Sequence, residues 1–220
     1  MSEIDFQALS RRLYAAVLSD VLDEMGYPHQ AMRPFVRPLD DTSVVFGLAR
    51  TGLYMLRFSV EPDENPYEVE MALIDDLEPG DVPVLACDGP TDTVAPWGEL
   101  LTTAARMRGA AGCVTDGLVR DVRQIRETGF PVFHGGIGPL DTKGRAKMME
   151  MDVPVRCGGA LVAPGDLIFA DVDGVVVIPG GVADAAIRAA LAKIDGEDAT
   201  RDALLGGALL KDVYEKYKIL

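Results

Sequence analysis

Apolar residues near the start of the chain recur at three- and four-residue spacing. Leu9, Leu13, Ala16, Val17, Val21 and Leu22 fall on one face, which predicts a helix over 6–26. Gly26 offers its C-cap, and Pro28 follows. Residues 44–60, VVFGLARTGLYMLRFSV, are rich in β-branched and aromatic side chains and predict one or two strands. Tyr67 to Asp76 predicts a helix, closed by the turn signal Glu78-Pro79-Gly80-Asp81. From Val82 the pattern alternates. Apolar runs at 82–87, 112–115 and 131–133 predict strands, and the segments at 99–108 and 122–128 between them predict helices. Such alternation implies a parallel sheet with helices on its faces. The stretch VPVRCGGALVAPGDLIFADVDGVVVIP, punctuated at Pro164-Gly165-Asp166 and Asp171-Val172-Asp173-Gly174, predicts short strands and hairpins. Helices are expected at 182–194, 197–205 and 209–217. The fold class is α/β: residues 1–220 read as a single domain, a parallel sheet flanked by helices plus a β portion.

Composition narrows the partners. With 35 acidic and 21 basic residues the formal charge is -14, which repels phosphate backbones and anionic membranes. Nucleic acid and membrane are therefore not expected partners. No apolar run approaches the roughly 18 residues of a membrane helix, and the amino-terminal MSEIDFQALSRRLYAAV lacks an apolar signal core. The three cysteines, Cys87, Cys113 and Cys157, are widely spaced in apolar segments and read as reduced, buried thiols of a cytoplasmic protein. A cysteine nucleophile lacks a histidine nearby in sequence. Charge is also uneven: Phe58 to Ala105 holds twelve acids and no Lys or Arg. Most of these acids read as a solvated face. Some of the segment is expected to face a hard divalent cation, which prefers oxygen ligands.

In a parallel α/β sheet, ligands bind beyond the carboxyl ends of the strands. Two helix starts lie there. One is Trp97-Gly98-Glu99-Leu100-Leu101, where first-turn N–H groups are free for an anion and Gly98 allows close approach. The other is Arg120-Asp121, after the next strand. Taken singly, Asp121 is a helix N-cap, Arg120 a surface residue or a partner of Asp116, and Glu99 a complement to the helix dipole. Adjacent parallel strands would bring the two starts to one sheet edge, where an acid, an arginine and an acid beside exposed amides suit a small carboxylate held against a metal.

The segment WGELLTTAARMRGAAGCVTDGLVRD resembles the core of the RraA-like family, whose aldolase members cleave 4-hydroxy-4-methyl-2-oxoglutarate and 4-carboxy-4-hydroxy-2-oxoadipate. The family motif is an acid, twenty residues, then Arg-Asp, and Glu99, Arg120 and Asp121 match it. SDVLDEMG, GFPVFHGGIGPLDTKGR, PGDLIFADVDGVVVIP and DGEDATRDALLGG resemble its other blocks, in order, over nearly the whole chain. The resemblance implies a fold akin to the swivelling phosphohistidine domains, assembled as a homotrimer or homohexamer with sites between subunits. It implies a divalent-metal-dependent lyase that releases pyruvate from a 4-hydroxy-2-oxo acid, with oxaloacetate decarboxylation as a side activity. Magnesium or manganese would be ligated by Asp121. Glu99 would hold its waters, with Glu197 (Asp198 next) supplied by a neighbouring subunit. Gly98, Leu100 and Leu101 would bind the substrate carboxylate, and Arg120 the keto oxygen. Where some members carry a further acid, this chain has Gln124, and Glu99 is longer than the Asp of some aldolases. The alternative is a non-catalytic regulator that binds ribonuclease E, as some RraA-like proteins do.

Other residues are read more plainly. Lys143 and Lys147 are expected to be solvated, not Schiff-base lysines. His29 and His134 are not phosphohistidine candidates; His134 either lines the pocket or sits in a loop. Asp116 either pairs with Arg120 or does not. Trp97 is a pocket wall or a core anchor. Met148, Met149 and Met151 read as packing or interface residues. Gly135-Gly136-Ile137-Gly138 lacks a nucleotide-binding pattern.

Overall fold

The computed structural model describes residues 6–218. The predicted first helix is two: α1 (Phe6–Ser10) and α2 (Ala15–Glu24). Tyr14 between them is extended (φ -146°, ψ 156°), and the Ala15 N–H that opens α2 is taken by the Asp171 carboxylate at 2.9 Å. That distant acceptor satisfies an orphan donor and lets the helix restart. A short β1 (Arg37–Pro38) precedes β2 (Val45–Leu56), a single twelve-residue strand over the expected one or two. Gly47 in β2 is a close-approach site: a Cβ there would stand 2.1 Å from the Gly80 carbonyl oxygen.

The alternating part follows: α3 (Glu68–Asp75), β3 (Asp81–Ala86), α4 (Glu99–Met107), β4 (Cys113–Thr115), β5 (Leu118–Val119), α5 (Val122–Thr128), β6 (Val132–His134) and β7 (Gly136–Ile137). The β portion is β8 (Ala146–Met151), β9 (Val155–Cys157), β10 (Ala160–Val162), β11 (Leu167–Asp171) and β12 (Gly174–Ile178). The chain closes with α6 (Ala183–Leu205) and α7 (Leu210–Tyr217). The segment 182–205, expected as two helices, holds one helix, Ala183–Leu205, that runs through Gly196.

The main sheet has the order β1-β6-β4-β3-β2-β11-β12, with β8 also on β2. The pairs β2–β3, β3–β4 and β4–β6 are parallel, as the alternation predicts. β11, β12, β8 and β1 join antiparallel. Strand periodicity sorts the core. Val84, Val114, Phe133, Ile168, Ala170, Val175 and Val177 point to one face, packing on Val155, Cys157, Ala160 and Val162 of the β9–β10 hairpin. The alternate residues face helices in two groups. Phe46, Leu167, Phe169 and Val176 pack on α2 and α6, while Leu85, Cys113 and Val132 pack near Leu73, Ala105 and Ile125 of α3, α4 and α5. The flanking helices thus share one face, and a hairpin covers the other.

Candidate functional site

β3 and β4 are parallel neighbours, so the segments after them emerge at one edge. The two segments are stitched directly. Trp97 bridges to Val119, and the Arg120 N–H bonds the Trp97 carbonyl at 3.0 Å. Asp121 occupies the N-cap position of α5 in the left-handed region (φ 57°) but makes no side-chain cap bond to that helix. Its Oδ2 accepts the Glu99 N–H at 3.2 Å. Asp121 therefore faces α4. A capped α5 would not require this backbone, and a left-handed Asp costs about 1 kcal/mol. Gly98 makes room: a Cβ there would lie 2.8 Å from Asp121 Oδ2 and 3.1 Å from Arg120 Cγ. In α4 the first helical bond runs from Thr102 N–H to the Gly98 carbonyl, which leaves the Leu100 and Leu101 N–H groups without intrahelical partners.

A cavity of about 450 Å³ opens here, with Gly98, Leu100, Leu101, Arg120 and Asp121 in its wall. Five of the sequence-selected residues thus meet. Glu99 lies at the same helix start, its carboxylate accepting from Thr103 Oγ1 at 2.7 Å. Glu197 does not join them within one chain. It lies on α6, where the Tyr14 hydroxyl bonds its carboxylate, and its neighbour Asp198 pairs with Arg201. Gln124 sits on α5.

The cavity wall also holds Tyr67, Glu70 and Asp141, which the sequence did not single out. Asp141 accepts the Tyr67 hydroxyl at 2.5 Å and pairs with the Arg120 guanidinium at 3.5 Å. Burial raises the Asp141 pKa, but the Tyr67 hydroxyl and Arg120 outweigh it and hold it below the ordinary carboxylate range. Burial and Asp141 push the Tyr67 phenol up to about 12. Glu70, 8% exposed, accepts the Tyr54 hydroxyl at 2.5 Å. Burial pushes its carboxyl up to about 7, against that hydrogen bond.

Open alternatives are settled, and one expectation, for Lys147, is corrected. Asp116 does not pair with Arg120. It is 1% exposed and accepts N–H groups of Cys87, Gly89 and Gly158 at 2.7, 3.0 and 3.1 Å. Asp141 fills the role considered for Asp116, and its block GPLDTKGR was the available signal. His134 lies buried in β6, outside the cavity wall, and burial lowers its imidazole to about 4. Trp97 is a core anchor, fully buried and stacked on Phe130. Lys143 is exposed as expected, but Lys147 is half-buried and held by Glu64 at 2.5 Å. The cysteines are free; Cys113 and Cys157 are buried and Cys87 partly so, and burial raises all three thiols. Met148 is packed inside and Met149 exposed. Among the described residues no group of three or more His, Cys, Asp or Glu comes together as a metal cage, and no helix is long and apolar enough to cross a membrane.

Fold and site together define a mixed α/β protein whose ligand cavity joins two helix starts at the ends of adjacent parallel strands. The chain belongs to the RraA-like family: the family model described as Aldolase/RraA matches residues 15–177. A Halalkalibacterium halodurans protein provisionally named 4-hydroxy-4-methyl-2-oxoglutarate aldolase is 31% identical over 92% of this chain and 90% of its own length. Protein DlpA of Legionella pneumophila is 32% identical over 92% of this chain, which spans only 32% of DlpA. Among solved structures, Streptomyces coelicolor RraAS2, described as an unusual member of the RNase ES inhibitor RraA protein family, superposes with TM-score 0.77 at 30% identity. The match covers 88% of this chain and 96% of that one.

Proposed function

We propose that the protein is a divalent-metal-dependent lyase that cleaves a 4-hydroxy-2-oxo acid and releases pyruvate, with oxaloacetate decarboxylation as a side activity. The observation that carries this reading is the Asp121 carboxylate turned away from its own helix, onto the start of α4 and into a cavity shared with Arg120. One carboxylate facing open space fits a hard, largely hydrated cation such as magnesium or manganese, and no caged soft-donor site is built among the described residues. When bound, such a cation supplies a Lewis acid for the 2-oxo group.

The chain's own residues supply the rest. Asp121 would hold the cation, and Glu99 would order water beside it. The Leu100 and Leu101 N–H groups, with Gly98 leaving space, orient the substrate carboxylate at the positive end of α4. Arg120 places fixed positive charge where the keto oxygen gains negative charge. Water oriented by Glu99 receives the C4 hydroxyl proton. Glu197 lies away from this cavity in its own chain; in the homotrimer or homohexamer that the family resemblance implies, a second copy would supply it.

Pyruvate release from 4-hydroxy-4-methyl-2-oxoglutarate and from oxaloacetate, with magnesium, manganese or chelator, tests the reading. Turnover that needs metal and disappears in Asp121→Ala is expected. Absence of turnover with metal bound would overturn it. The regulator reading is favoured by the RraAS2 likeness. It predicts instead a stable complex with ribonuclease E that survives Asp121→Ala.

A further inference from the structure

Glu70 is the cavity-wall acid that this chemistry leaves unused. It lies on α3, buried, and lines the same cavity as Arg120 and Asp121. Tyr54 of β2 is its hydrogen-bond donor. No cation pairs with it among the described residues: Arg120 is drawn to Asp141, and Lys147 of β8 to Glu64. The groups that face it come from several elements. Tyr67 precedes its own helix, Tyr54 is on β2, and Cys87 follows β3. Arg120 follows β5, and Asp141 lies in the loop before β8. From α4, Glu99 is engaged by Thr103, and Arg106 is exposed.

A buried carboxylate without a cation is costly to keep ionised. An anion arriving in the cavity raises that cost, because like charges disfavour ionisation. We propose that Glu70 is the proton acceptor of this cavity: it takes one proton from solvent as a 2-oxo-acid anion binds, and so presents a neutral hydrogen-bond donor to the ligand. The step is balanced, one carboxylate and one solvent proton giving one carboxylic acid. It rests on the reading of the cavity as a 2-oxo-acid site, and it makes affinity for the anion fall as pH rises above neutrality. Burial already sets the Glu70 carboxyl at about 7, inside the range where such coupling is felt.

The test is calorimetric titration of the magnesium-loaded protein with oxalate, in buffers of different ionisation enthalpy. Above neutrality the wild type is expected to take up protons as oxalate binds, and its affinity to weaken with rising pH by up to about tenfold per pH unit. Glu70→Gln is expected to bind oxalate with no uptake and no pH dependence in that range. Tyr54→Phe is a second handle should Glu70→Gln fail to fold. It removes a bond that favours the ionised form, so the uptake midpoint moves to higher pH. Equal uptake in wild type and Glu70→Gln, or an unmoved midpoint in Tyr54→Phe, would overturn the proposal. Oxalate binding without uptake in the wild type overturns the Glu70 role alone and leaves the site reading standing. Failure of oxalate to bind with magnesium present removes the site reading and this proposal together.

Discussion

At Gly98 the site tolerates no methyl group. The added Cβ would lie 2.8 Å from Asp121 Oδ2 and 3.2 Å from Arg120 Nε, so both functional side chains must move. The Gly98 backbone itself is extended, which any residue adopts. Gly98→Ala is therefore expected to fold with near wild-type stability, yet to lose tenfold or more in magnesium affinity, about 1.4 kcal/mol. Calorimetry on the folded variant checks this; unchanged affinity would show that Asp121 does not hold the metal from this position. Arg120→Ala should lower kcat by about 10²–10³, the scale for losing one stabiliser of a developing oxyanion. Asp141→Asn should give a smaller drop, because it frees the guanidinium without removing it. Steady-state kinetics of both variants decide; a larger loss in Asp141→Asn would reverse their assigned roles. Glu99, Arg120 and Asp121 were legible because each begins a helix after a recognisable strand, and local pattern fixes that. Tyr67, Glu70 and Asp141 were not legible, since the loop before β8 and the helix before β3 reach the cavity only through tertiary packing.

Among the elements, the loop after β3 and the β9–β10 turn share one anchor. The Asp116 carboxylate receives N–H groups from Cys87 and Gly89 on one side and Gly158 on the other. It is buried, so Asp116→Ala leaves three donors without their acceptor, the Gly158 N–H fully buried and the other two partly so. At about 1 kcal/mol or more for each orphaned group, the variant should lose at least about 3 kcal/mol. Urea unfolding would show this as a lowered midpoint with an unchanged slope. A loss under 1 kcal/mol would mean that water replaces the carboxylate. Apart from the two-residue β5, which no apolar run predicted, helix and strand positions from Val82 to Phe133 were legible, because short apolar runs bounded by turn residues admit few alternatives. The ends of the chain were less so. Apolar spacing continues through Leu13, yet the chain leaves the helix after Ser10 and Tyr14 is extended, its hydroxyl bonded to Glu197 and the next N–H to Asp171. Conversely, Gly196 reads as a break, and α6 passes through it with Ile194 and Thr200 buried on either side. Packing overrides local propensity in both places.

For the whole molecule, two buried groups pull stability in opposite directions as pH changes. Glu70 has its folded pKa raised from 4.5 to about 7. Between those values the folded state binds more protons than the unfolded one, so its contribution is greatest below pH 4.5 and declines as pH rises to 7. His134 has its pKa lowered from 6.5 to about 4. There the unfolded state binds more protons, so stability increases as pH rises from 4 to 6.5. Each shift of about 2.5 pH units corresponds to roughly 3 kcal/mol, and the two nearly cancel across the shared window of pH 4.5 to 6.5. The wild type should therefore hide both. Glu70→Gln removes the falling limb, so its stability relative to wild type should climb by about 3 kcal/mol between pH 4.5 and 7. His134→Asn removes the rising limb, and its relative stability should fall by a similar amount between pH 4 and 6.5. Taking each variant minus wild type at every pH cancels the background titration of a chain carrying -14 formal charges. Urea midpoints at half-unit steps from pH 4 to 8 measure both curves. Two flat difference curves would mean that water reaches these side chains and that neither pKa departs from its ordinary value in the folded protein.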